Sequence, residues 1–285
     1  MKNLRALLSF FLLLFLLITA QAEESAQRDP LEDWTQAQKR EQTVWRQNDN
    51  LELFGSLSAV QSATPYSPQI DVRNLPAWSG SDAELQEAFL RLRDERLYFQ
   101  SNRPNFPRRS SWLYPDDGCY ARAAHAAQSF ERAQKERPGK VFAFGNLRVK
   151  TKYHRRGTVY WWFHVAAAYR IGNEAVILDP SIEALRPLPL SEWLQRISSR
   201  PLKTKVAICD TYAYATRHAC LGGSSRQESR FQNHQKAFLV KEWDRLKSLR
   251  YEPEKLLGEQ PPWRKNLHPL PPIGQLKPEW PQILR

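Results

Sequence analysis

Thr158-Val159-Tyr160-Trp161-Trp162-Phe163-His164-Val165-Ala166-Ala167-Ala168-Tyr169-Arg170-Ile171-Gly172-Asn173-Glu174-Ala175-Val176-Ile177-Leu178-Asp179-Pro180-Ser181 reads as one β-hairpin, and the fold class follows from it. Successive side chains of a strand point to opposite faces. Trp161, Phe163, Val165, Ala167, Tyr169 and Ile171 therefore share an apolar core face. Tyr160, Trp162, His164, Ala166, Ala168 and Arg170 share the other. Gly172-Asn173 supplies the positive-φ chemistry of a two-residue hairpin turn. With that turn Ile171 opposes Glu174, Ala166 faces Asp179, and His164 faces Ser181. His164 and Asp179 then lie on one face as diagonal neighbours, roughly 7–8 Å apart at Cα and within side-chain reach. A three-residue turn would move Asp179 to the far face. The small Ala166 and Ala168 beside His164 leave room for a cleft.

Upstream, Asp117-Gly118-Cys119-Tyr120-Ala121-Arg122-Ala123 opens a stretch without Gly or Pro that runs as a helix from Cys119 to about Glu136. Asp116, Asp117 or Gly118 caps it, and Pro138-Gly139 ends it. Val141 to Thr151 reads as a strand with an irregularity at Gly145-Asn146. A helix laid across the His164 face would carry the Cys119 thiol to the imidazole. The expected class is α+β, a nucleophile helix packed on an antiparallel sheet.

Around this core, Ser81 and Glu84 form a capping box ahead of Leu85, Phe89 and Leu92 at helical spacing. Pro104, Pro107 and Pro115 mark an irregular stretch leading to the cysteine. Gln227 to Arg250 reads as an amphipathic helix with Phe231, Phe238, Leu239, Trp243 and Leu246 on one side. The expected organisation is a leader at 1–22, an N-terminal extension at 23–80, a catalytic domain at 81–225, and a C-terminal helix with a Pro-rich tail at 226–285. A short polar helix is expected between Trp34 and Trp45.

The leader combines Lys2 and Arg5, an apolar run from Ala6 to Ile18, and the small-x-small site Ala20-Gln21-Ala22. That is the grammar of a secretory signal, with an apolar run too short for a confident membrane span. A secreted or periplasmic protein without stable membrane insertion is expected. Removing Lys2 and Arg5 leaves 40 basic against 30 acidic residues, a net charge of +10. Zinc-finger spacing and RNA-binding motifs are absent, so nucleic acid is not an expected partner. Of the three cysteines, Cys209 and Cys220 bracket a loop-like segment and are the expected disulfide, which leaves Cys119 as a single thiol in an oxidising compartment.

A thiol at a helix start, an imidazole on a strand and a carboxylate beside it are the parts of a nucleophilic acyl-transfer site. The helix N-terminus and an adjacent imidazolium each stabilise a thiolate. Asp179 would fix the tautomer of His164 and stabilise its charged form. Tyr160 and Trp162, on the His164 face, and Tyr120, beside the cysteine, are candidate cleft walls. Each residue alone has a plainer reading: a histidine among aromatics is commonly a satisfied structural group, and Asp-Pro-Ser after a strand is commonly a turn. His125 reads as a solvent or packing residue and His154 as exposed in a basic loop. No His-x-x-x-His or Cys-x-x-Cys spacing points to a metal.

Four segments in order, Asp117-Gly118-Cys119-Tyr120-Ala121-Arg122-Ala123, Phe144-Gly145-Asn146-Leu147, Trp162-Phe163-His164-Val165-Ala166 and Ile177-Leu178-Asp179-Pro180-Ser181, resemble those of bacterial protein glutaminases over about residues 110 to 185. The resemblance implies a papain- and transglutaminase-like core and deamidation of glutamine side chains in proteins. It also implies a triad of nucleophile Cys119, base Cys-partner His164 and orienting carboxylate Asp179. It requires no metal or organic cofactor, and its partner is a protein or peptide bearing glutamine. It further implies that an N-terminal segment could occupy the cleft until removed. The helix after residue 226 and the Pro-rich tail have no counterpart in that family pattern. A cysteine peptidase or a transglutaminase-like acyltransferase would use the same triad, and an inactive envelope binding protein is the reading from another class.

Overall fold

The computed structural model describes residues 36, 39, 57–100 and 103–264 of the 285-residue chain. The leader, the extension up to residue 56 apart from two exposed helical residues, Gln36 and Lys39, and the tail beyond residue 264 lie outside the described residues. The described residues from Leu57 to Arg264 form one compact unit. Among the described residues no helix is long and apolar enough to cross a membrane.

In chain order the elements are β1 (Thr64–Pro65), α1 (Asp82–Asp94), β2 (Tyr98–Gln100), β3 (Arg103–Arg108), α2 (Cys119–Arg132) and β4 (Gly139–Lys150). There follow β5 (Thr158–Ile171), β6 (Glu174–Leu178), β7 (Leu188–Pro189), α3 (Leu190–Ile197), β8 (Lys205–Cys209), α4 (Glu228–Ser248) and α5 (Pro253–Leu257). Six strands make an antiparallel sheet in the order β1-β8-β4-β5-β6-β7, and β2 with β3 makes a separate ribbon. The class is α+β, as the hairpin reading requires.

The β5–β6 hairpin has the expected register: Ile171 opposes Glu174, and the ladder runs back to Ala167 opposite Leu178. Gly172 sits at φ 58°, where a β-carbon would be strained. The expected irregularity at Gly145-Asn146 is a bulge, because the β4–β5 register shifts between Phe144 and Leu147. α1 carries its full capping box: Ser81 accepts from the Glu84 amide while the Glu84 carboxylate accepts from the Ser81 amide.

Two apolar layers cover the sheet. On one face Ala167, Tyr169, Val176 and Leu178 pack with Ala126 and Phe130 of α2, Phe89 of α1, and Trp243 and Leu246 of α4. On the other, Val141, Ala143, Ala166, Ala168 and Ile177 pack with Leu190, Trp193, Leu194 and Ile197 of α3. This corrects two expectations. The body of α2 lies over the Ala167 face, not the face that carries His164. Ala166 and Ala168 make room for α3, not for a cleft; both are buried. Alternation alone says which residues share a face, but not which helix covers it.

Pro104 and Pro107, read as an irregular stretch, lie within β3. A two-stranded ribbon offers edges on which a missing amide hydrogen is tolerated. Residues 64–78 are built into the fold. β1 adds to β8, Val72 and Leu75 join the α3-side core, and the Arg170 amide donates to the Pro76 carbonyl at 2.9 Å. Gly139 admits Leu75, whose Cδ2 would stand 2.7 Å from a β-carbon there. The disulfide joins Cys209 to Cys220 as expected.

Candidate active site

Cys119 is the first residue of α2 and is buried. It is set there by Gly118, the N-cap, which adopts φ 79°. A side chain at that position would meet two penalties. The left-handed backbone disfavours a β-carbon, and the ring of Phe238 from α4 would lie 2.7 Å away. The chain enters this turn through residues 111–118, which carry an unusual density of charge-assisted bonds for a loop.

Arg122, one helical turn past the cysteine, reaches back with Nη1 and donates to the carbonyls of Asp117, Tyr114 and Ser111 at 2.7, 3.1 and 3.4 Å. From α4, Glu242 accepts the Leu113 amide at 2.8 Å and is itself held by Arg108 at 2.6 Å. Arg245 grips the Asp116 carboxylate through Nη1 at 2.9 Å and Nη2 at 3.2 Å. All of these side chains are buried. The loop before the cysteine is thus fixed by hydrogen bonds to ionised groups, the stronger class in a dry interior.

His164 lies opposite Ala143 on β5 and is 1% exposed. Its Nε2 donates to Asp179 Oδ2 at 2.7 Å. Asp179, just past the end of β6, is clamped from three more donors. Ser181 gives its hydroxyl at 2.5 Å and its amide at 3.2 Å to Oδ1, and Trp193 Nε1 donates to Oδ2 at 3.0 Å. The Asp-Pro-Ser turn and the site are one structure: the turn supplies the donors that hold the carboxylate.

Burial alone would lower the pKa of His164. The charge of Asp179 and the bond to it, with a smaller contribution from Cys119, instead push it up to about 9. Burial alone would raise Asp179, and the His164 charge and the two side-chain bonds hold it down at about 2. The pair is an imidazolium–carboxylate couple at neutral pH. The Nδ1 edge of His164 makes no hydrogen bond in this structure. Cys119 is close enough to the imidazole to contribute to its raised pKa, and Nδ1 is the ring nitrogen that Asp179 leaves over.

Two indoles stack on the imidazole: Trp161 at 4.6 Å between ring centroids and 12° between planes, and Trp193 at 5.5 Å and 28°. The alternation reading put Trp161 on the face away from His164. The bulge opposite Trp162 alters the local twist, so that residues three apart come onto one side. Trp161 also donates Nε1 to the Pro115 and Asp116 carbonyls at 2.8 and 3.2 Å. One side chain therefore touches both His164 and the residues that lead to Cys119.

The other expected site residues are placed as follows. Tyr120 packs against Phe231 and Phe238 of α4, and its hydroxyl is hydrogen-bonded to His234 Nδ1 at 3.1 Å. Trp162 is buried with its ring against Phe163 and Phe144. Tyr160 is half-buried opposite Arg148. His154 is buried, not exposed, with Nε2 3.5 Å from the Asp116 carboxylate. His125 is a packing residue, fully buried and bonded to the Tyr98 hydroxyl at 3.0 Å. Trp193, Glu242 and Arg245 were not singled out from the sequence for the site, because only tertiary contact joins them to it. Arg122 had a local signal, lying three residues after the cysteine on the same helix.

No curated protein matches the chain. Among the solved structures similar to it are the following three. The crystal structure of a protein-glutaminase shares 20% identity over 55% of this chain and 86% of that one, with a TM-score of 0.41. That of a pro-protein-glutaminase shares 20% over 63% and 64%, with a TM-score of 0.45. The NMR structure of protein-glutaminase from Chryseobacterium proteolyticum shares 20% over 70% and 95%, with a TM-score of 0.42. A family model described as glutaminase matches residues 85–197, the span that contains Cys119, His164 and Asp179. Over that span the chain is similar to the glutaminase family.

Proposed function

We propose that this chain is an exported protein-glutamine glutaminase, a thiol-dependent amidohydrolase on a papain- and transglutaminase-like core. The observation that carries the reading is the 2.7 Å His164–Asp179 bond, on an imidazole whose Nδ1 has no hydrogen-bond partner and whose pKa Cys119 also helps to raise. The glutaminase family match over residues 85–197 supports the choice of amide.

In this mechanism the Cys119 thiolate attacks the carboxamide carbon of a glutamine side chain. The C–N bond breaks as His164 gives its proton to the departing ammonia, and a γ-glutamyl thioester remains. His164, neutral after that step, takes a proton from water, and the resulting hydroxide attacks the thioester. The C–S bond then breaks, leaving glutamate and the thiolate. The Cys119 amide, at the first position of α2, is a donor for the oxyanion. Asp179, Ser181 and Trp193 keep the imidazole in register, and the indoles of Trp161 and Trp193 keep water from its faces. The disulfide at Cys209–Cys220 fits the export reading, since such bonds persist in oxidising compartments.

The test is ammonia release and substrate mass recorded together on a glutamine-containing protein, with Cys119→Ala as control. Ammonia with a gain of about 1 Da per site and intact chains, absent in the variant, is the expected result. Chain cleavage without ammonia would move the triad to a peptidase. Loss of both products, with the thiol inert to alkylation, would leave a binding protein.

A further inference from the structure

We propose that the tip of the β4–β5 hairpin is a substrate-recognition rim that selects glutamines in acidic segments; the inference rests on the glutaminase reading. The hairpin carries no aspartate or glutamate anywhere between Glu136 and Glu174. Its outer part exposes Arg148, Lys150, Lys152, Arg155 and Arg156. Among the described residues none of these five side chains pairs with a carboxylate. At the tip it is the buried His154, not these cations, whose ring lies against a carboxylate, that of Asp116. Surface arginines elsewhere, such as Arg96, Arg132 and Arg186, are engaged by Glu259, Glu95 and Glu192. The hairpin thus keeps its charge uncompensated.

The tip is fixed beside the nucleophile. His154 Nε2 lies 3.5 Å from Asp116, three residues before Cys119. Arg245 donates both to the Asp116 carboxylate and to the Tyr153 carbonyl, at 3.2 Å for the latter. Arg155 and Arg156 follow directly in the chain. The turn is tight as well. The Thr151 amide donates to the Gly157 carbonyl at 3.0 Å, the Gly157 amide to the His154 carbonyl at 2.9 Å, and the Arg156 amide to His154 Nδ1 at 3.2 Å. The cations are therefore held on a rigid support, and a charged patch of that kind steers and orients an oppositely charged partner more than it adds raw affinity. An extended peptide covers about 3.3 Å per residue, so a segment entering the site would meet the tip a few residues from its glutamine.

The test uses two peptides with a central glutamine, one flanked by Asp and Glu and one by Ala and Ser. Binding is read by fluorescence anisotropy on Cys119→Ala protein, and turnover by ammonia release on the active chain. The expected result is an acidic peptide bound about tenfold more tightly at low salt, with the advantage lost at about 0.5 M salt, where charges are screened beyond a few ångströms. In turnover it appears in KM. The Lys152→Gln, Arg155→Gln, Arg156→Gln variant should bring the acidic-to-neutral ratio close to one, with its melting temperature confirming the fold. Equal affinities, or a ratio that survives the triple substitution, would overturn the proposal. So would a preference for anionic vesicles or single-stranded DNA with none between the peptides. An acidic preference in binding without ammonia from either peptide would sink the glutaminase reading and leave the recognition surface standing.

Discussion

His164 loses nearly all its water on folding, yet holds its proton more tightly than a free imidazole because Asp179 lies within a hydrogen bond of it. The sign of the pH dependence follows. The raised folded value of His164, about 9 against 6.5, contributes stability that is complete below about 6.5 and lost as pH rises through 9. The depressed value of Asp179, about 2 against 3.8, contributes stability present above about 3.8 and lost as pH falls through 2. The stability gap between the parent and Asp179→Asn should therefore be widest between about pH 4 and 6.5 and narrow toward pH 9, as read by denaturant midpoints. In the same variant the alkaline limb of kcat/KM should move to lower pH, with kcat reduced at least about a hundredfold; an unmoved limb would mean that the limb reports another group. Trp193→Phe isolates a single donor. It keeps a ring against the imidazole but removes the Nε1 bond to Asp179. A bond to a buried carboxylate is worth about 1.5–3 kcal/mol, so a loss of that order in unfolding free energy is expected, with kcat falling more than KM rises.

Among the elements, the start of α2 is where local rules and tertiary packing coincide. Gly118 must be left-handed to turn the loop into the helix, and it must lack a β-carbon to admit Phe238. Gly118→Ala should cost about 1–2 kcal/mol in backbone strain alone and more from the collision with Phe238. Adding Phe238→Leu should recover the second part but not the first, which thermal melting of the single and double variants can separate. The same scale explains what the chain discloses before it is folded. The β5–β6 hairpin was legible because strict alternation and Gly172-Asn173 fix its register, and the register alone put His164 near Asp179. α1 was legible through its capping box. β8 is too short to carry a clear period, whereas α3, the helix that supplies Trp193, went unread although Leu190, Trp193, Leu194 and Ile197 fall at helical spacing. Trp161 was put on the wrong side because a one-residue bulge breaks the alternation that the argument used. Which face of the sheet received α2 was not encoded locally at all.

For the molecule as a whole, the distinctive contribution comes from α4. The sequence division set this helix apart with the tail, yet it supplies Phe238 under Gly118, Glu242 to the Leu113 amide and Arg245 to Asp116. Breaking a buried ion pair from one side typically costs about 3–5 kcal/mol, because the remaining charge is left without a partner. Arg245→Met should destabilise the chain by that order, read by denaturation. Asp116→Asn on the same background should return part of it by removing the orphaned charge. A double-variant cycle with no coupling would show that the pair does not hold the loop. Synthesis proceeds from the N-terminus, so Cys119, His164 and Asp179 all leave the ribosome before Glu242 and Arg245 exist. Until α4 docks, neither the Leu113 amide nor the Asp116 carboxylate has its partner from that helix. The thiol is made early and fastened late: an unfinished chain carries Cys119, His164 and Asp179 without the brace that α4 supplies.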